Sequence, residues 1–160
     1  MTNPIPIRLL TASSFLLAGL FAVAPAHGQT ASTSSFTIQI SGNASAVKTG
    51  LPETVMFSGP LVVTATVVTD PALGPTAAVF VDGRGVVGTG AKTKSTYLNT
   101  CVANLTRPFG ATDVIQTTCA FYPDVAGGYM SSKTALVTLN LTYNTTTMAL
   151  TNVTAGIAAF

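Results

Sequence analysis

Residues 134–143 constrain the fold of this 160-residue chain most tightly. They read Thr-Ala-Leu-Val-Thr-Leu-Asn-Leu-Thr-Tyr. Ala135, Val137, Leu139, Leu141 and Tyr143 share one parity, and the other parity is polar except for Leu136. Successive side chains of a strand point to opposite faces, so this alternation specifies a strand with one buried face; a helix would spread the same apolar residues around its circumference. Residues 61–68 are apolar and β-branched with Thr64 and Thr66 interposed, the composition of a central strand. Residues 77–81 and 114–122 read similarly. Weaker strand patterns cover 35–40, 54–57, 85–87, 96–106 and 148–157. Turn-forming residues separate them at 69–75, at Asp82-Gly83 and at 144–147. Eight or nine short strands at this spacing predict an all-β fold. The expected form is an antiparallel β-sandwich, immunoglobulin-like in general shape, with a small closed β-barrel as the alternative.

The N-terminus is of another kind. Arg8 precedes an apolar run over 9–24, and small residues gather at Ala22, Ala24 and Ala26. That order is a secretory signal peptide, with cleavage expected after Ala26 or Gly28. The run is too short for a spanning helix of roughly 20 apolar residues, and no cysteine follows it to carry a lipid anchor. The expected organisation is a signal peptide over 1–28 and a single β-sandwich domain over 29–160, in a protein that is secreted, periplasmic or held at the cell surface. Without residues 1–28 the chain keeps 132, enough for one domain with its own core.

Export makes Cys101 and Cys119, the only cysteines, an expected disulfide. Both lie equally far from Gly110 in a turn-rich loop, so a hairpin centred there sets them across from each other. The CxxC spacing of redox or metal-binding thiols is absent.

Charge is sparse. With Arg8 removed, six basic and five acidic residues remain, a net charge near +1. Such a balance carries no footprint for nucleic acid or an anionic membrane, and no later segment of the sequence is long and apolar enough to span one as a helix. It also protects weakly against self-association. His27, the only histidine, sits at the cleavage region. No imidazole is left for Ser-His-Asp or Cys-His catalysis, and the commonest zinc ligand goes with it. No cofactor or metal is therefore expected.

The remaining motifs are weak. Gly83-Arg84-Gly85-Val86-Val87-Gly88 matches G-x-G-x-x-G, but a nucleotide site needs a helix after it, and Thr89-Gly90-Ala91-Lys92-Thr93 does not start one. Ser45-x-x-Lys48 and Lys48-Thr49-Gly50 adjoin, whereas the penicillin-binding enzymes need these motifs on separate elements. Glu53, Asp70, Asp82, Asp113 and Asp124 are scattered, and three of them sit beside Pro or Gly in turns. Five N-x-S/T sequons, at Asn43, Asn104, Asn140, Asn144 and Asn152, fall in an Asn- and Thr-rich surface where such matches arise by chance.

Two loops carry the candidate binding residues: Arg107 and Phe109 in one, Tyr122 and Tyr129 in the other. Loops on a rigid scaffold are where binding concentrates, although Phe109 and Tyr129 are each expected to fold back onto the core. Following the strands, the 107–113 and 144–147 loops fall at one end and the 91–95 and 123–133 loops at the other.

Export, size, a disulfide and β structure together resemble the chaperone–usher pilins in general character. The late, closely spaced cysteines and the ending Ile157-Ala158-Ala159-Phe160 depart from the pilin pattern. A terminal Phe also occurs in outer-membrane barrels, but stepping back by twos from Phe160 gives no lipid-facing row. No family is assigned on these features. The expected function is non-enzymatic: an exported surface or extracellular module for adhesion, matrix or filament formation, whose partner is another copy or a surface glycan or protein. The alternatives are a secreted or periplasmic ligand-binding protein and, behind it, a small hydrolase using two carboxylates.

Overall fold

The computed structural model describes residues 30–159. The expected signal peptide over 1–28 lies outside them. Nine strands run β1 (Thr30–Ala44), β2 (Val55–Asp70), β3 (Gly74–Asp82), β4 (Val87–Gly90), β5 (Thr96–Asn99), β6 (Val102–Pro108), β7 (Thr112–Pro123), β8 (Lys133–Asn144) and β9 (Ala149–Ala159). A four-residue helix α1 (Ala46–Thr49) and a single 3-10 turn (Gly128–Ser131) are the helical pieces among the described residues. The all-β expectation holds.

The strands form one sheet in the order β1-β9-β8-β7-β5-β4-β2-β3-β6, and β1 also pairs β2 along its whole length. The hydrogen bonds therefore run in a closed circuit through β1, β2, β4, β5, β7, β8 and β9. β3 and β6 extend from the distal half of β2. The strands thus belong to a single multi-stranded sheet. One pairing departs from the antiparallel expectation: β1 meets β9 in parallel at Gly42 and Asn43. Gly42 permits that approach, because a Cβ there would strike the Ile157 side chain and backbone.

The strand readings hold where alternation is long. In β8, Ala135, Val137, Leu139, Leu141 and Tyr143 are buried, while Asn140, Thr142 and Asn144 are exposed. In β2, Leu61, Val63, Ala65 and Val67 face inward, and both edges are paired, as a central strand requires. Boundaries needed correction at three places. Segments 54–57 and 61–68 belong to one strand, because Gly59 (φ 150°) and Pro60 mark where β2 exchanges β4 for β3 without ending. Segment 96–106 is broken into β5 and β6 at Thr100-Cys101, and the strand expected at 85–87 begins at Val87.

The cysteines form the expected disulfide, and both are buried. Cys101 lies between β5 and β6, and Cys119 lies on β7. β5 pairs β7 antiparallel with Asn99 opposite Phe121, and the Thr100 N–H donates to the Ala120 carbonyl, so the same register sets Cys101 opposite Cys119. They lie across from each other as expected, but β6 turns away to pair with β3, so no continuous hairpin runs from Cys101 through Gly110 to Cys119. Asn99 organises the approach: its Nδ2 donates to the Gly83 carbonyl at 3.1 Å, and its Oδ1 accepts from the Cys101 N–H at 3.0 Å. The Gly83 N–H in turn donates to the Cys101 carbonyl. The 83–88 glycine motif is thus a turn leading into β4, held against the disulfide.

Candidate functional site

The connections collect at two ends. At the first, the Phe109 N–H donates to the Pro75 carbonyl, the Tyr143 N–H to the Ala111 carbonyl, and Thr69 Oγ1 to Met148 Sδ. The loops 70–74, 109–111 and 145–148 therefore adjoin. Arg107 is held by Asp113 through two bonds, Nε to Oδ2 at 3.0 Å and Nη2 to Oδ1 at 2.9 Å. The guanidinium holds the Asp113 carboxyl below its ordinary range. Phe109 folds back and meets Tyr143 edge-to-face, with centroids 5.4 Å apart. Burial raises the Tyr143 phenol. Asp70 and Asn144 spend their side-chain oxygens on backbone N–H groups two and three residues on, as turn formers do.

At the second end lie the 45–54 connection, the 91–95 loop and the 124–132 loop. Glu53, which sequence reasoning left among the scattered acids, is their keystone. Its carboxylate is buried and accepts from the Lys92 N–H at 2.6 Å, the Thr93 N–H at 2.9 Å and the Thr93 hydroxyl. These bonds, led by the Thr93 hydroxyl, lower its pKa. The Ala91 N–H donates to the Thr54 carbonyl, and the Asp124 N–H to the Thr96 carbonyl, which completes the connection of the three loops. A half-open cavity of about 410 Å³ lies between the first and third, with Leu51, Pro52, Tyr97, Pro123, Met130 and Lys133 on its walls.

The four candidate loop residues thus do not converge. Arg107 and Phe109 sit at the first end, consumed by internal contacts. Tyr122, half-buried at the end of β7, and Tyr129 sit at the second. Tyr129 does not fold back onto the core as Phe109 does: it is 67% exposed, and Met130 beside it is 82% exposed. The two ion pairs found among the described residues, Arg84–Asp82 and Arg107–Asp113, involve no lysine. Asp82 is held down to about 2 by the Arg84 side chain and N–H. The sequon asparagines are all exposed. Among the described residues no cluster of three or more His, Cys, Asp or Glu forms, and no helix is long and apolar enough to cross a membrane. Compared with known proteins, the chain matches no protein-family model, no curated protein sequence and no solved structure.

Proposed function

We propose that this chain is an exported, non-enzymatic β module that engages a surface or extracellular component through its second end. The carrying observation is the contrast in what the loops leave available. Glu53 is spent on the backbone of the 91–95 loop and both described arginines are spent on aspartates, whereas Tyr129 and Met130 stand out beside a cavity. Export rests on the N-terminal signal pattern and agrees with the disulfide, since such bonds persist in oxidising compartments. A second reading, binding of a small ligand, draws on the cavity itself, whose 410 Å³ falls in the size range of ligand pockets.

The test uses protein recovered from the secreting cell, with its N-terminus read by mass spectrometry. A start at His27 or Gln29 supports processing; an N-terminus at Met1 on secreted protein argues against it. The protein is then offered to the producing cells and their matrix. Tyr129→Ser with Met130→Ser should abolish retention, while Leu73→Ser, an exposed site at the first end, should leave it intact. Retention lost equally in both variants, or in neither, removes the assignment to the second end.

A further inference from the structure

The second end has a charge and shape that the whole-chain composition conceals. Lys48 follows Val47 on α1, which leads directly into the cavity wall at Gly50; Lys92 and Lys94 are on the 91–95 loop; Lys133 lines the cavity. These are all the lysines of the chain. Two acids share this end: Glu53, whose carboxylate is turned to N–H groups, and exposed Asp124. Folding has gathered cations that a net charge near +1 reads as negligible.

The same end carries a second feature. Val47 is 94% exposed and Val125 66%, adding to Tyr129 and Met130. All four belong to the two connections that flank the cavity. Exposing large apolar side chains at loop tips among lysines costs solubility unless something covers them.

Resting on the reading that this end is the working surface, we infer that it docks on an anionic lipid surface. Three considerations select a bilayer over a discrete anion. The cations outside the two ion pairs are lysines, compact point charges suited to a diffuse negative layer, Lys94 also donating to the Ala91 carbonyl, while the described arginines, whose forks recognise single phosphates or carboxylates, are paired with aspartates. Three of the four protruding side chains, Val47, Val125 and Met130, offer no hydrogen-bond donor to a sugar. One tyrosine accompanies them, and an apolar ring with a polar tip suits the headgroup boundary. Shallow insertion of the apolar tips with lysines around them accounts for both features together.

The experiment is co-sedimentation of the secreted protein with phosphatidylcholine vesicles, with and without phosphatidylglycerol. Binding is expected only with phosphatidylglycerol, falling as salt rises. Each Lys→Gln change should weaken it about fivefold, the equivalent of one lysine near an anionic surface. Val47→Ser with Met130→Ser should abolish it at unchanged charge, with the thermal midpoint retained. Binding that survives this pair and is displaced by soluble dextran sulfate overturns the inference, because it is then electrostatics without insertion. Absence of vesicle binding overturns it too. If cell or matrix retention is nevertheless lost in Tyr129→Ser/Met130→Ser, the lipid partner alone is wrong; if retention is also unaffected, the working surface is wrong.

Discussion

The two ends of the sheet are built from similar material and finish differently. Both consist of short polar loops carrying an aromatic residue and at least one charge. At the first end folding uses these up: Arg107 is clamped by Asp113, Phe109 lies on Tyr143, and Asp70 and Asn144 close turns. At the second end Glu53 is used up, whereas Asp124 is exposed and no lysine is held in an ion pair among the described residues. Glu53 turns inward, while Lys48, Lys92 and Lys94 stay exposed beside uncovered Val47 and Met130. The difference lies in which charges folding sets against each other, and sequence composition does not report that.

The largest effect should fail to distinguish the ends. Leu139 is fully buried in the middle of β8, and Leu139→Ala leaves a cavity costing about 2–5 kcal/mol. Asn140, the next residue, is exposed and makes a 3.4 Å contact with Thr154, so Asn140→Ala should change stability by under about 0.5 kcal/mol. Urea melts of the two variants check this; equal losses would mean that β8 has no solvated face.

Removing the disulfide by Cys101→Ser with Cys119→Ser should cost about 3 kcal/mol, through loop entropy regained by the unfolded chain. Hydrogen exchange should show the excess opening at the β5–β7 ladder beside the bridge and at β6, more than at the 45–54 connection. A uniform loss of protection would contradict the assigned role of the bridge.

Aromatic truncation sharpens the comparison directly. Phe109→Ala should cost about 1–2 kcal/mol, since the ring is half-buried and stacked edge-on against Tyr143. Tyr129→Ala should cost under about 0.5 kcal/mol. If both were equally costly, the second end would be packed rather than presented.

The smallest effect is in pH. Glu53, Asp82 and Asp113 all have lowered pKa values in the fold. Their stabilisation is fully present above the ordinary carboxylate range and is lost as pH falls through their folded values, for Asp82 from 3.8 to about 2. Loss of amide protection at 91–95 on acidification should disappear in Glu53→Gln, which keeps the shape but not the titration. The Asp113 side should respond to Asp113→Asn only. A 91–95 loop that opens identically on acidification in Glu53→Gln would remove Glu53 from its keystone role.

How far the sequence told this in advance depended on the range of each signal. Period-two alternation is local and long in β2 and β8, so strand identity and inner face were legible there. The 54–57 and 61–68 patterns read as separate strands, yet pairing with β1 carries β2 straight through Gly59-Pro60. The disulfide was legible from the expected compartment and the count, and so was its cross-strand register; the departure of β6 to β3 was not, because that pairing is non-local. The lysine-bearing end was hidden by distance: Lys48, Lys92 and Lys133 are brought together only by the closed circuit of strands. Glu53 gave one faint signal, an acid beside Pro52 ahead of a strand.

The most direct test of the difference between the ends is hydroxyl-radical footprinting of the protein, free and bound to the surface proposed to retain it. Val47, Tyr129 and Met130 should lose reactivity on binding, while Leu73 at the opposite end keeps it. Protection at Leu73 with none at Met130 would contradict the account.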